Sequence, residues 1–227
     1  MQSIYGGHGD AEPDRGDFQR MVRRRQRPEN EVPASVAIDA VLARTEDLVV
    51  FMSGARVFSN GVDLTLEVRL RQVDASGRHD LGAAVHGHGP GSGDRLLLGV
   101  EFVDGRRAST LGRDLRPPTE DTEDEPQLWP GGGGGGSRSM QLQLFLSPLP
   151  PPGDFTVVCA WPDRDLPETT TVLSADQLLE AASRVRVLWP WEPEPQFGRP
   201  EPAPRCSEWL TAIVTSLSLR SWGHDRA

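Results

Sequence analysis

The stretch Met140–Pro162, MQLQLFLSPLPPPGDFTVVCAWP, decides the fold class. Met140, Leu142, Leu144 and Leu146 alternate with Gln141, Gln143, Phe145 and Ser147, which puts four apolar side chains on one face of a strand. Phe155, Val157, Cys159 and Trp161 alternate in the same way with Thr156, Val158 and Ala160. Between them PLPPPGD cannot continue a ladder, because proline has no amide donor and a fixed φ. The expectation is two strands joined as a hairpin by a semi-rigid, proline-rich loop.

Working toward the N-terminus, Val62–Val73 has the cleanest alternation in the chain, with Leu64, Leu66, Val68 and Leu70 facing one way and Thr65, Glu67, Arg69 and Arg71 the other. It follows Leu48–Phe58, a strand expected to bend or bulge at Ser53–Gly54. Asn60–Gly61 lies between these two strands and predicts a tight hairpin turn with positive φ at both positions. Val36–Leu42 fits either a first strand or a short helix. Arg95–Val103 and Arg106–Leu111 predict a second hairpin around Asp104–Gly105. Beyond the central stretch, Glu168–Leu173 reads as a strand. Ser174 and Gln177 form a capping-box pattern ahead of a short helix with Ala175, Leu178, Leu179 and Ala182 on one face. Val185, Val187 and Trp189 alternate as a last strand.

Composition limits the function classes. The chain has 227 residues, a net charge of −9, and 24 basic residues that are all arginine. Without lysine there is no Walker A loop, pyridoxal Schiff base or kinase-type ATP site in its usual form. The acidic balance disfavours nucleic acid, since phosphate neutralisation needs a basic surface. Cys159 and Cys206 have no CxxC spacing, so no metal or redox motif is expected, and Cys159 reads as a free buried thiol. MQSIYGGHGD has neither a charged region nor an apolar run, so no secretory signal is expected. The longest apolar runs, such as Leu48–Met52, are too short to span a bilayer. A cytoplasmic location follows by default.

Residues 1–31 balance six arginines against six acids and read as a disordered tail. Residues 32–191 form the expected domain, interrupted at 117–138 by a flexible linker. The linker holds five acids between Glu120 and Glu125 and six glycines, Gly131–Gly136. Those glycines lack the lysine and the following helix of a phosphate-binding loop, so no nucleotide site is expected there. Residues 192–227 hold a Pro/Glu linker and a second amphipathic helix pattern, with Leu210, Ile213, Val214 and Leu217 on one face.

The order LARTEDLVVFMSGARVFSNGVDLTLEVRLR, LLLGVEFVDGRRAS, LWPGGGGGG and LSPLPPPGDFTVVCAWPDRDLPET resembles an uncharacterised family of small β proteins common in actinobacteria. The resemblance runs from Val36 to Pro190, with the glycine run, PLPPPG and CAWP as its most specific parts. It implies one β domain with dispensable ends, and it implies no activity and no site residues.

Several groups carry potential chemistry. Asp163, Asp165 and Glu168 are carboxylates near enough in sequence for acid–base work or a hard cation, and they also suit a turn. His86 and His88 have a zinc-like H-x-H spacing inside a glycine-rich loop without a third ligand nearby. Trp-Pro occurs at Trp129, Trp161 and Trp189, where proline ends a strand and the indole can also form a stacking surface. A partner-binding surface is placed at Trp129, Trp189, Pro150 and Pro151.

The sequence therefore predicts a mainly antiparallel β-sandwich of about eight strands with one short helix and disordered ends. The function it points to is a non-enzymatic cytoplasmic interaction or accessory domain for a protein partner, without cofactor, metal, nucleic acid or membrane. Two alternatives stay open. One is a small hydrolase or ligand-binding protein using Asp163, Asp165, Glu168 and His86 or His88. The other is a structural subunit joined through exposed sheet edges.

Overall fold

The computed structural model describes residues 15–72, 81, 95–111 and 124–193. It is a mainly β, antiparallel sandwich whose element order is α1 (Arg15–Arg23), β1 (Glu31–Val32), β2 (Ala34–Val36), β3 (Ala40–Arg44), β4 (Leu48–Phe58), β5 (Gly61–Leu70), β6 (Leu97–Glu101), β7 (Arg107–Ser109), β8 (Gln127–Gly136), β9 (Ser139–Ser147), β10 (Asp154–Trp161), β11 (Leu166–Ser174), α2 (Asp176–Ala182) and β12 (Arg186–Val187). Eight of these strands, β3–β6 and β8–β11, have five residues or more.

One sheet has the order β2–β4–β5–β9–β8, with β3 also paired to β4. The second has the order β11–β10–β6–β7, and β1 and β12 make a separate two-stranded ribbon. The alternation of each strand explains the core between the sheets. Val62, Leu64, Leu66 and Val68 of β5 meet Met140, Leu142, Leu144 and Leu146 of β9 in register, and all eight are buried. Phe155, Val157, Cys159 and Trp161 of β10 face them from the second sheet together with Leu98 and Val100 of β6, in the same apolar cluster. Each such side chain withdrawn from water contributes roughly 1.5–3 kcal/mol.

Ser53 is the extra residue of a β-bulge, since Met52 pairs with Leu66 and Gly54 with Thr65. The bulge shifts the phase of β4, so Val50 and Met52 before it and Ala55 and Val57 after it all point inward. The helix α2 closes one end of the sandwich with Ala175, Leu178 and Ala181 buried. Ser174 serves it as expected at one bond, its Oγ accepting the Asp176 amide at 3.2 Å, although Ala175 is the N-cap residue.

Five expectations are corrected. The central stretch is not a hairpin: β9 pairs with β5 and β8, whereas β10 pairs with β6 and β11. PLPPPGD is the arch that carries the chain from one sheet to the other. Alternation reports which face of a strand is buried, and in a sandwich that face looks the same whichever neighbour the strand takes. Gly131–Gly136 is not a flexible linker but the outer part of β8, with Gly133–Gly136 paired to Leu142–Ser139. The β4–β5 turn is made by Ser59–Asn60, with Phe58 paired to Gly61, and neither Asn60 nor Gly61 has positive φ. Gly61 serves close approach instead: a Cβ there would sit 2.6 Å from the Leu146 carbonyl oxygen and 2.7 Å from Phe145 Cζ.

The remaining two corrections concern the ends. Residues 15–31, read as part of a tail, contain α1 and a segment bonded to the β4–β5 turn, described below. The contacts described for this segment are polar and aromatic, so no hydrophobic period advertises them. Val185–Trp189 is not a sandwich strand. Only Arg186–Val187 is extended and paired, and Val187 and Trp189 are exposed.

Burial pushes the Cys159 thiol up to about 12. Its unfolded value is lower, so this contribution to stability is complete below the ordinary thiol pKa and is lost as pH rises toward 12. Iodoacetamide at pH 8 is expected to leave Cys159 unmodified in the folded protein and to alkylate it fully in denaturant. Peptide mapping by mass spectrometry checks this, and rapid native alkylation of Cys159 would place it outside the core.

Candidate functional site

The residues that stand out as surface features are at the end of the described chain. After α2, the Arg184 and Val185 amides donate to the Ala181 and Ala182 carbonyls at 2.9 and 3.3 Å, and Val185 packs against the core. From there the chain runs outward as β12, antiparallel to β1, with Glu31 opposite Val187 and Val32 opposite Arg186. The Leu188 amide donates to the Asn30 carbonyl at 2.8 Å, which makes Leu188/Asn30 a hydrogen-bonded pair. In an antiparallel ladder such pairs alternate, so the amide and carbonyl of Val187 point away from β1. Among the described residues no strand lies on that side. Val187, Leu188 and Trp189 are 63%, 50% and 56% exposed.

This open edge is held from behind. The Asn30 side-chain amide donates to the Trp189 carbonyl at 2.7 Å, and Arg23 donates to Asn30 Oδ1 at 2.5 Å. The Arg23 guanidinium lies 5.0 Å from the ring centroid of Trp191, within cation–π range. The Glu31 carboxylate accepts the Ser59 amide at 3.0 Å and the Ser59 hydroxyl at 2.5 Å. The ribbon is thus fastened to the β4–β5 turn through polar groups, while its three apolar side chains stay in water.

The residues singled out in the sequence do not gather into one site. Trp189 is part of the open edge. Trp129 is half-buried on β8, where its Nε1 donates to Gln127 Oε1 at 2.9 Å. Pro150 is buried and Pro151 half-buried in the arch between the sheets, so Pro150 offers no surface. Trp161, the third Trp-Pro tryptophan, is fully buried in the core. Asp163 and Asp165 are exposed around the 3-10 turn Pro162–Arg164, with Asp165 at φ 52°, and Glu168 is exposed on β11. This is the turn that their spacing also suited. Among the described residues no group of three or more His, Cys, Asp or Glu side chains is placed to hold a metal. His86 and His88 lie outside the described residues, as do Cys206 and the amphipathic pattern of Leu210, Ile213, Val214 and Leu217.

A cleft of about 490 Å³ lies elsewhere, at the β3–β4 turn and the end of β5. It is lined by Arg44, Arg69, Arg71, Glu46 and Asp47 among others, and holds none of the carboxylates named above. Its charges are partly paired, Arg71 with Glu46 at 3.1 Å and Arg69 with Glu67. No helix among the described residues is long and apolar enough to cross a membrane.

Sequence reasoning found Trp189 but missed Val187 and Leu188 as surface. The signal was available: Val187-Leu188-Trp189 is a run of three apolar residues, and a strand with one buried face cannot place all three in the core. Comparison of the chain with protein-family models, with curated proteins and with solved structures found no match.

Proposed function

We propose that the protein is a non-enzymatic interaction domain, acting in the cytoplasm, that takes an extended apolar segment of a protein partner along β12. One observation carries this reading. Three consecutive apolar side chains are exposed, that of Val187 at the end of β12 and those of Leu188 and Trp189 just beyond it, and the outward backbone groups of Val187 have no strand partner among the described residues. Isolated exposed apolar residues are ordinary on protein surfaces, whereas a contiguous patch marks a binding surface. An open strand edge is the standard receptor for an added strand, where main-chain hydrogen bonds supply affinity and flanking side chains supply selectivity.

A photo-reactive amino acid at position 188 in living cells tests the proposal. A discrete protein adduct is expected from position 188 and none from position 172, where Val172 is more exposed, at 60% against 50% for Leu188, but lies on β11. Equal adducts from both positions, or none from 188, would refute the reading.

A further inference from the structure

The open edge of β12 is short, and the bonds at its two ends decide what can be read there. The Val185 amide is already given to the Ala182 carbonyl, and the Trp189 carbonyl accepts from the Asn30 side chain. Between those bonds Val187 turns both its amide and its carbonyl outward, so an added antiparallel strand forms one hydrogen-bonded pair with it. Arg186 and Leu188, on either side, then face the incoming strand as non-hydrogen-bonded pairs. In such pairs the Cα atoms lie about 4.5 Å apart and the side chains are at their closest. The residues placed opposite Arg186 and Leu188 therefore decide which segment is taken.

These two positions call for different partners. Leu188 is 50% exposed and matches an apolar side chain. Arg186 is exposed, as is Arg184 two residues before it, and neither side chain is bonded to an acid among the described residues. The nearby acids of the ribbon do not serve them. Glu31 lies opposite Val187 with its carboxylate bonded to Ser59, and Glu29 precedes Asn30, past the Leu188 end of the edge. The chain as a whole carries a net charge of −9, which opposes an acidic partner at long range. Exposed charges more than about 8 Å apart are largely screened at physiological salt, whereas a residue directly opposite Arg186 has its Cβ about 5 Å away. At contact the local arginine outweighs the net charge.

Resting on the reading of β12 as a receptor edge, we infer that the partner segment adds antiparallel to β12 and carries, from its N-terminal to its C-terminal side, two apolar residues followed by an acidic one. The first lies opposite Leu188, the second opposite Val187 and the acid opposite Arg186. Antiparallel addition continues the pairing that β12 already makes with β1. The acid neutralises an arginine that no described acid of the chain neutralises. Cross-strand pairs of opposite charge stabilise a ladder, and like charges placed opposite one another weaken it.

Three end-blocked peptides and the full-length chain test this. The first is Ser-Thr-Val-Val-Asp-Thr-Ser, the second has lysine in place of the aspartate, and the third is Ser-Thr-Asp-Val-Val-Thr-Ser. In each, an apolar photo-reactive residue replaces the central valine, and adducts on residues 185–189 are quantified by mass spectrometry. The first peptide is expected to give about fivefold more adduct than the second or the third. The Arg186→Glu chain, first shown to melt cooperatively, is expected to prefer the lysine peptide, and Arg186→Gln to take the first and second alike. Equal adducts from the first two peptides on the parent chain, or a preference that survives Arg186→Gln, would overturn the acidic selection while leaving β12 a receptor edge. A third peptide as good as the first would overturn the antiparallel order. No adduct on residues 185–189 from any peptide would overturn the receptor reading together with the selection.

Discussion

Trp161→Ala is expected to lower the unfolding free energy by about 3–5 kcal/mol, the cost of truncating a large aromatic side chain inside a close-packed core. Trp161 has 0% exposure at the end of β10, in one cluster with Phe155, Val157, Cys159 and Leu166. It pairs in register with Leu166 across a break in the β10–β11 ladder, so the indole sits where the two strands begin to diverge. The Arg164 guanidinium lies 5.1 Å from its ring, covering the side of the turn. Surrounding strands belong to two sheets and cannot collapse into the space without losing their ladders, so most of the cavity remains. Denaturant titration measures the loss, and a change below 1 kcal/mol would show that Trp161 lies outside the core.

Gly61→Ala is the second large effect, expected to cost about 1–3 kcal/mol by overpacking. The added methyl meets the Leu146 carbonyl oxygen at 2.6 Å and the Phe145 ring at 2.7 Å. The carbonyl belongs to β9, which pairs with β5 along its length, so it cannot retreat without straining the ladder. The ring is held by Phe58 and capped by Arg27. Both neighbours are fixed by other bonds, so the strain stays local and should also loosen the segment that covers Phe145. A melting temperature unchanged by Gly61→Ala would mean that β5 and β9 are not in this register.

These two residues show what was legible in the sequence and what was not. Trp161 was readable as core because alternation with Thr156, Val158 and Ala160 assigns it to the face of Phe155 and Val157. Gly61 was readable as part of a turn but for a different physical reason, since its role depends on a neighbour some eighty positions away. Strand positions came through clearly in β4, β5, β6, β9, β10 and β11. Sheet membership did not: β9 and β10 are adjacent in sequence and lie in different sheets, and nothing in their alternation distinguishes an arch from a hairpin.

The docking of segment 23–31 was invisible for a related reason. Its contacts come from Arg23, Arg27, Asn30 and Glu31, residues whose type alone suggests solvent, and their partners Asp63, Asn60 and Ser59 belong to the distant β4–β5 hairpin. The apolar run at Val187–Trp189 was visible, but alternation placed Val185, Val187 and Trp189 in a last sandwich strand, whereas only Arg186–Val187 is paired and all three side chains of the run are in water. The candidate carboxylates Asp163, Asp165 and Glu168 illustrate the converse. Their spacing suited either chemistry or a turn, and the structure places Asp163 and Asp165, exposed, at a turn and Glu168, exposed, on β11 after it.

The proposed function requires that Val187, Leu188 and Trp189 be dispensable to the fold. The most direct check is chemical denaturation of the variant carrying Val187→Ser, Leu188→Ser and Trp189→Ser together. The bond from the Asn30 side-chain amide to the Trp189 carbonyl and that from the Leu188 amide to the Asn30 carbonyl do not use these side chains and remain available. Surface substitutions of this kind change stability by about 0.5 kcal/mol or less each. The account predicts an unfolding free energy within about 1.5 kcal/mol of the parent, the sum of three such changes. A loss of about 4 kcal/mol or more, the scale of core truncation, would show that the three side chains are packed and that β12 offers no apolar surface to a partner.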